Sequence, residues 1–338
     1  MNAAGRSIEI DRCARDAVAL LPHVVPHRDG LQTLGGRVIA LPAPARALVA
    51  RFAEGHEFDD DELSDSERAA ARDLIEAGYL LRLPPARPID RAAPVDVVLS
   101  PHIDDAALSL GGTIAQARRR TLVVNAFTSQ SYQTGLRVPP ERLDAVACAE
   151  DRLAGRLLGY DAVSLGLAGA QDRHRLGLSA TMGWPPRDVA DRFAGEIDAV
   201  AQRAVAAIRN ALGRAAIGSL YAPAAIGGHL DHVVVALAGP AIAAALGLSP
   251  GAVAYYEDLP YAAAGWRGGV ELRERAPRFR DISAALERKR AALAIFKTRL
   301  RAPQIELCIA HAARIAQRGA VERCYRRSGD EVQAEDGG

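Results

Sequence analysis

From about residue 95 onward, short apolar runs alternate with longer stretches in which apolar positions recur every three or four residues. Val97-Val98-Leu99 is too short for a helix, is rich in β-branched side chains and is broken by Ser100-Pro101, so it predicts a buried strand. Helical spacing follows from Ala106 to about Arg119. The same pair of signals repeats. Strands are expected at Leu122–Ala126, Ala162–Leu167, Ile217–Tyr221 and Ala252–Tyr256. Helices are expected at Glu141–Leu158, Arg187–Arg214, Val233–Leu246 and Asp281–Arg299, with polar loops at Gln130–Pro140 and Arg173–Pro186. Strands alternating with helices in this order predict an α/β fold, a mostly parallel sheet with helices on both faces.

The first 90 residues follow another pattern. Ala17–Pro26 and Gly30–Leu41 have strand character and are joined by a turn at Arg28-Asp29-Gly30. Ala43–Glu54 has helical spacing. A second helix is expected over Ala69–Ala77, capped by Ser64 or Asp65 and stopped by Gly78, before a strand at Tyr79–Leu83. This is the outline of a small α+β, winged-helix-like module over residues 1–88. Pro84-Pro85-Ala86-Arg87-Pro88 reads as a stiff linker to a catalytic unit over 92–330, with a polar tail over 331–338. The helix, acidic loop, helix and LIEAGYLLRL ending resemble the small peptide-chaperone domain of pyrroloquinoline-quinone biosynthesis, which implies a peptide or carrier as partner; the alternative is a cap that packs on the larger domain and binds nothing.

Composition narrows the function. The chain has 338 residues and a net charge of +1, with only two lysines, Lys289 and Lys297, so no basic surface for nucleic acid or membrane is expected. Four scattered cysteines form no CxxC pair, the first residues carry no apolar signal core, and no apolar run is long enough to span a bilayer; a cytoplasmic protein is expected. Neither GxGxxG nor GxxxxGK[ST] occurs, which removes support for a dinucleotide or nucleoside-triphosphate site, and Ser100 lacks the GxSxG elbow of a serine hydrolase.

The chemistry-bearing residues fall into two clusters. His102, Asp104 and Asp105 follow the first catalytic-unit strand; His229, Asp231 and His232 follow the Ile217–Tyr221 strand. Parallel strands present their carboxyl ends on one edge, where open α/β sheets bind ligands. Six metal-type and acid/base side chains can therefore converge, as a catalytic zinc site with three N/O ligands and one open position requires.

The clusters stand in the sequence as PHIDDA and HLDH, with GGTIA at 111–115, Glu150 in the next helix, YYEDLPYA at 255–262 and ERKRAALAIFKTRL at 287–300. In these features, over roughly residues 95–326, the chain resembles the PIG-L/LmbE superfamily of metal-dependent N-deacetylases. The resemblance implies a Rossmann-like sheet and zinc, with ferrous iron as the alternative, held by His102, Asp105 and His232. It implies that Asp104 is the general base, that His229 stabilises the oxyanion or protonates the leaving amine, and that Asp231 orients a histidine. The partner so implied is a small N-acyl substrate, an amino sugar or natural product, and a homo-oligomer is compatible with it. An amidase of a thiol or peptide conjugate, or a non-catalytic carrier-binding protein, are the alternatives.

Three departures from the family pattern touch substrate recognition. The place two residues before His229, often Tyr, is Gly227, so Tyr255, Tyr256 or Tyr261 is expected to substitute. The usual Arg before Glu150 is missing, with Arg142 or Arg152 as replacement, and Asp172 stands in for an acidic residue after the third strand.

Overall fold

The computed structural model describes residues 16–54, 57–85, 88–129 and 131–327. Cys13, His56, part of the linker and the tail over 331–338 lie outside the described residues.

In chain order the N-terminal part holds β1 (Ala17–Leu20), β2 (Val24–His27), β3 (Gly30–Thr33), β4 (Val38–Ala40), α1 (Ala43–Arg51), β5 (Phe58–Asp59), α2 (Asp65–Glu76) and β6 (Leu80–Leu83). Strands β2, β3 and β4 form an antiparallel meander, while β1 lies between β5 and β6 in a second antiparallel sheet. Helix α2 starts where its caps place it. The Ser64 hydroxyl accepts the Glu67 N–H while the Glu67 carboxylate accepts the Ser64 N–H, a reciprocal capping box.

The remainder holds β7 (Val95–Ser100), α3 (Asp105–Gln116), β8 (Thr121–Asn125), α4 (Pro140–Leu158), β9 (Asp161–Ser164), α5 (Ala170–His174), α6 (Pro186–Arg192), α7 (Ala194–Leu212), β10 (Ile217–Pro223), α8 (Leu230–Ala245), β11 (Val253–Tyr256), β12 (Arg275–Asp281), α9 (Leu286–Leu293), α10 (Ala302–Arg314) and β13 (Val321–Arg327). One seven-stranded sheet runs β12-β13-β11-β10-β7-β8-β9. Its five central and right-hand strands, β11-β10-β7-β8-β9, are parallel, and β13 joins antiparallel to both β11 and β12. The chain builds outward from β7 through β8 to β9, then returns to add β10 on the other side. The β7/β10 boundary is thus the point where strand order reverses, the place where such sheets open a crevice at their carboxyl ends.

Side chains alternate across the sheet. Val98 and Val123 face a core shared with α3, α4, α9 and α10; Val97, Leu99, Leu122 and Val124 face one shared with α7 and α8. Strand β1 is buried on both faces. Ala17 and Ala19, with Leu21 and Leu83, join the core that contains Leu153, Ala154 and Leu157 of α4, whereas Val18 joins the module's own core with Leu48, Leu74 and Leu80. Leu34 packs with Val138, Leu143 and Val146, and Arg156 of α4 is buried against Glu57, Nε to Oε2 3.1 Å.

Two expectations need correction. The long helix over Arg187–Arg214 is broken at Phe193, whose ψ of 27° separates α6 from α7. The Asp281–Arg299 helix is the short α9, preceded by strand β12, which was not foreseen. β12 is an edge strand, mostly exposed, with the sequence RAPRFRD; charge and proline suit an unpaired edge and erase the apolar alternation that marks a strand.

Candidate metal and active site

Each cluster is shaped by its own strand-to-helix turn. After β7, the Ser100 hydroxyl donates to the His102 carbonyl and accepts the Ala106 N–H, closing a turn that brings residues 102–105 over the sheet edge. The Asp105 carboxylate accepts the His102 N–H at 2.8 Å. Asp104 occupies the cap position of α3 but makes no side-chain cap bond, so its carboxylate is left to the cavity that it lines. After β10, Gly227 and Gly228 both have positive φ, 86° and 63°. A Cβ at Gly228 would lie 2.7 Å from the Trp184 backbone nitrogen, so only glycine lets that loop pack directly on the turn. His229 then caps α8, its Nδ1 accepting the Asp231 N–H at 3.2 Å.

The two turns meet. His102 Nδ1 and His232 Nε2 lie 3.1 and 3.3 Å from the same atom, Asp105 Oδ2. The other ring nitrogen of each histidine is engaged by a buried carboxylate: His102 Nε2 with Asp231 Oδ2 at 3.1 Å, His232 Nδ1 with Asp258 Oδ1 at 2.7 Å. Hydrogen bonds of that kind fix tautomer and ring orientation, leaving the opposite nitrogen as a ligand. Asp231 is itself held by the Ala170 N–H (2.9 Å) and by Arg173 Nη2 (3.0 Å), and Asp258 by the Ile226 N–H (3.0 Å). His102, His229 and His232 also bring one nitrogen each within 4.8 Å of one another. His232 Nε2 is buried without a hydrogen-bond partner among the described residues. An orphaned imidazole nitrogen beside a second imidazole and a carboxylate fits a divalent cation.

Electrostatics separate the neighbouring groups. Burial works against the charged form of Asp105, but His232 and His102 hold its carboxyl down to about 2. Burial and the charge on Asp105 raise Asp104 above its ordinary value, opposed by Arg299 and His102. Burial and the adjoining His102 and His232 push His229 down to about 3. His229 is therefore neutral, and with Nδ1 accepting from Asp231 it presents Nε2–H as a donor; the protonated imidazole that oxyanion stabilisation would favour is not its resting form.

His102, Asp104, Asp105, His229 and Asp231 line a cavity of about 290 Å³. Tyr261 is in its wall, its ring stacked near His229 with centroids 6.3 Å apart and edge-on to His232 at 5.4 Å. A Cβ at Gly227 would meet Tyr261 Cβ at 3.3 Å, so the small residue and the tyrosine share one space. Tyr256 instead donates to the Leu99 carbonyl, and Tyr255 lies beneath the Arg275 guanidinium. Asp172 lines the cavity and holds Ser131 through its N–H and hydroxyl. Arg142 does not line it. It is exposed on α4 and faces a different cavity, between α4 and the N-terminal strands, together with Arg152. The helical spacing of Glu141–Leu158 turns those positions away from the sheet edge. The arginine at the cavity is Arg299, buried and donating Nη1 to the Tyr132 carbonyl at 2.8 Å. Arg173, Asp258, Arg299 and Trp266 were not singled out from the sequence. The YYEDLPYA motif contained the signal for Asp258, and the KTRL ending that for Arg299.

No family model matches the chain. It is 29% identical over 248 residues, 67% of its own length and 80% of the relative's, to the 2'-N-acetylparomamine deacetylase of Streptomyces fradiae. Among solved structures, the A40926 pseudoaglycone deacetylase aligns with a TM-score of 0.53 at 23% identity, covering 73% of this chain and 100% of that one. A deacetylase of teicoplanin biosynthesis aligns with a TM-score of 0.54 at 23% identity, covering 70% and 100%. A zinc-inhibited form of teicoplanin deacetylase aligns with a TM-score of 0.52 at 21% identity, covering 70% and 100%. All four of these proteins are deacetylases, and the solved structures share this chain's fold. No described helix is long and apolar enough to cross a membrane.

Proposed function

We propose that the protein is a zinc-dependent N-deacetylase of an acylated amino sugar within a natural product. The observation that carries this reading is the convergence of His102 Nδ1 and His232 Nε2 on Asp105 Oδ2, each ring braced from behind by a buried carboxylate. His102, Asp105 and His232 would hold the ion, which supplies Lewis-acid polarisation of the amide carbonyl and lowers the pKa of water.

The chain's own groups do the rest. Asp104, facing the cavity without a cap bond, takes the proton from the attacking water. The His229 Nε2–H donates to the oxygen on which negative charge develops. The proton on Asp104 passes to the leaving nitrogen, and the amide becomes a carboxylic acid and an amine. Asp231 and Asp258 do not react; they hold His102 and His232 in place. Tyr261 beside His229 supplies the hydroxyl-bearing wall at the position that Gly227 leaves open.

The test is acetate release from a panel of N-acetylated amino sugars and aminoglycosides. Activity should disappear on chelation and return with zinc or ferrous iron. Turnover that survives exhaustive chelation, or a metal-loaded protein that releases acid from none of the panel, would overturn the reading.

A further inference from the structure

A second cavity, of about 570 Å³, lies behind the loop that carries Trp266. Trp266 is in the wall of both cavities and is 47% exposed, so the two spaces adjoin at this residue. The two spaces differ in charge. The first is lined by the carboxylates of Asp104, Asp105, Asp172 and Asp231, with Arg299 as its only arginine among the described residues. The second is lined by Arg267, Arg314 and Arg323, with Glu257 as its only carboxylate among the described residues.

That carboxylate is already neutralised. Glu257 is buried, pairing through Oε2 with His311 Nε2 at 3.0 Å and through Oε1 with Arg323. Arg314 Nη2 serves the Ala263 carbonyl (3.0 Å) and His311 Nδ1 (2.8 Å), leaving its Nε and Nη1 groups for another acceptor. Arg323 Nε is buried without a hydrogen-bond partner among the described residues. Arg267 makes no side-chain ion pair among the described residues. The cavity thus offers guanidinium donors in excess of acceptors, around a floor fixed by a buried His–Glu pair. Planar guanidinium forks match the oxygens of phosphate and carboxylate.

We propose that this second cavity binds an oxyanion group, phosphate or carboxylate, carried by the same molecule whose acylated amine occupies the first. The assignment to one molecule rests on the deacetylase reading and on the shared Trp266 wall. The acidic cavity then retains the amine as it becomes cationic, while the basic cavity retains the anion.

Two arms test the site on the metal-loaded full chain. In the first, inorganic phosphate is titrated calorimetrically into the wild type and into Arg314→Gln/Arg267→Gln. The wild type should bind, and the double variant should bind at least roughly tenfold more weakly, as expected when charge-assisted bonds are lost. Equal binding, or none by the wild type, overturns the site whether or not any substrate is turned over. In the second, KM is compared between N-acetylated amino sugars with and without a phosphate or carboxylate substituent. The double variant should raise KM only for the anionic members, with kcat unchanged, and Arg314→Lys/Arg267→Lys should restore part of the difference. A simple packing defect would raise KM for both kinds. If phosphate binds but the variant treats both kinds alike, the anion does not belong to the substrate and the proposal falls.

Discussion

At the sheet edge, three of the side chains of the candidate site sit within four consecutive residues after β7, and three more within four residues after β10. Each group is shaped by hydrogen bonds that barely leave its own turn: Ser100 to His102 and Ala106, Asp105 to His102, His229 to Asp231. The N-terminal module is held differently. Its β1 contributes Val18 to one core and Ala17 and Ala19 to another, and the second of these belongs to the catalytic sheet. Glu57 and the Pro84 carbonyl reach across to Arg156 of α4. The site is a meeting of two local motifs; the module is bound by contacts spread over many residues. Local motifs survive as chemistry only if the sheet brings them together, whereas dispersed packing fails as a whole when one partner is removed.

The largest expected effect tests the module. Deleting residues 1–88 strips Ala17, Ala19, Leu21 and Leu83 from a shared core and exposes the apolar face of α4. The fragment is expected to be insoluble or to unfold without cooperativity in a thermal scan. A soluble, metal-binding fragment would show that the proline-rich segment at 84–88 is a true domain boundary.

At the site, His232→Ala should abolish the roughly one divalent ion per chain expected of a three-ligand centre, read by elemental analysis. Asp104→Asn should keep the ion and lower kcat by about 10²–10⁴-fold, the loss expected of a general base. Asp105→Asn should instead weaken metal binding. If Asp104→Asn emptied the site while Asp105→Asn kept it full, the two roles would be reversed. Asp258→Asn probes the brace behind His232, and metal affinity should fall by about 10–100-fold with the fold intact. Unchanged affinity would make Asp258 a packing residue.

The smallest effect concerns Glu150, whose carboxyl is raised to about 7 by burial, against the hydrogen bonds from Thr298. Between its unfolded value and 7, the folded chain holds a proton that the unfolded chain has released. Stability is therefore fully present below the unfolded value and is lost as pH rises through 7. Glu150→Gln removes that titration and should flatten the fall in Tm between pH 5 and pH 8. Asp151, also raised to about 7 by burial, would keep part of the slope. An unaltered slope would show that Glu150 does not titrate in this range.

Much of this was legible in the chain. The alternation of apolar runs and helical spacing marks the parallel strands β7 to β11, because strands buried on both faces need continuous apolar side chains. PHIDDA and HLDH mark the two clusters that meet at the sheet edge, because ligand-type spacing within one turn is a local property. Hydrogen bonds across the fold were not legible. Asp258 reaches His232 from 26 residues away and Asp231 reaches His102 across 129, and no periodicity encodes such pairings. Arg142 and Arg299 show the same limit. Both were present as arginines near the right motifs, but the turn of α4 carries Arg142 away from the cavity and the segment after α9 carries Arg299 into it. The edge strand β12 was hidden because its charges erase the apolar alternation, and although β1 reads as a strand, nothing in its sequence says that its two faces enter different cores. The sequence by itself determined the parallel sheet and the placing of two ligand-type clusters at its strand ends; the tertiary structure alone decided which carboxylate braces which imidazole, and which arginine faces the cavity, because those choices depend on distances between residues far apart along the chain.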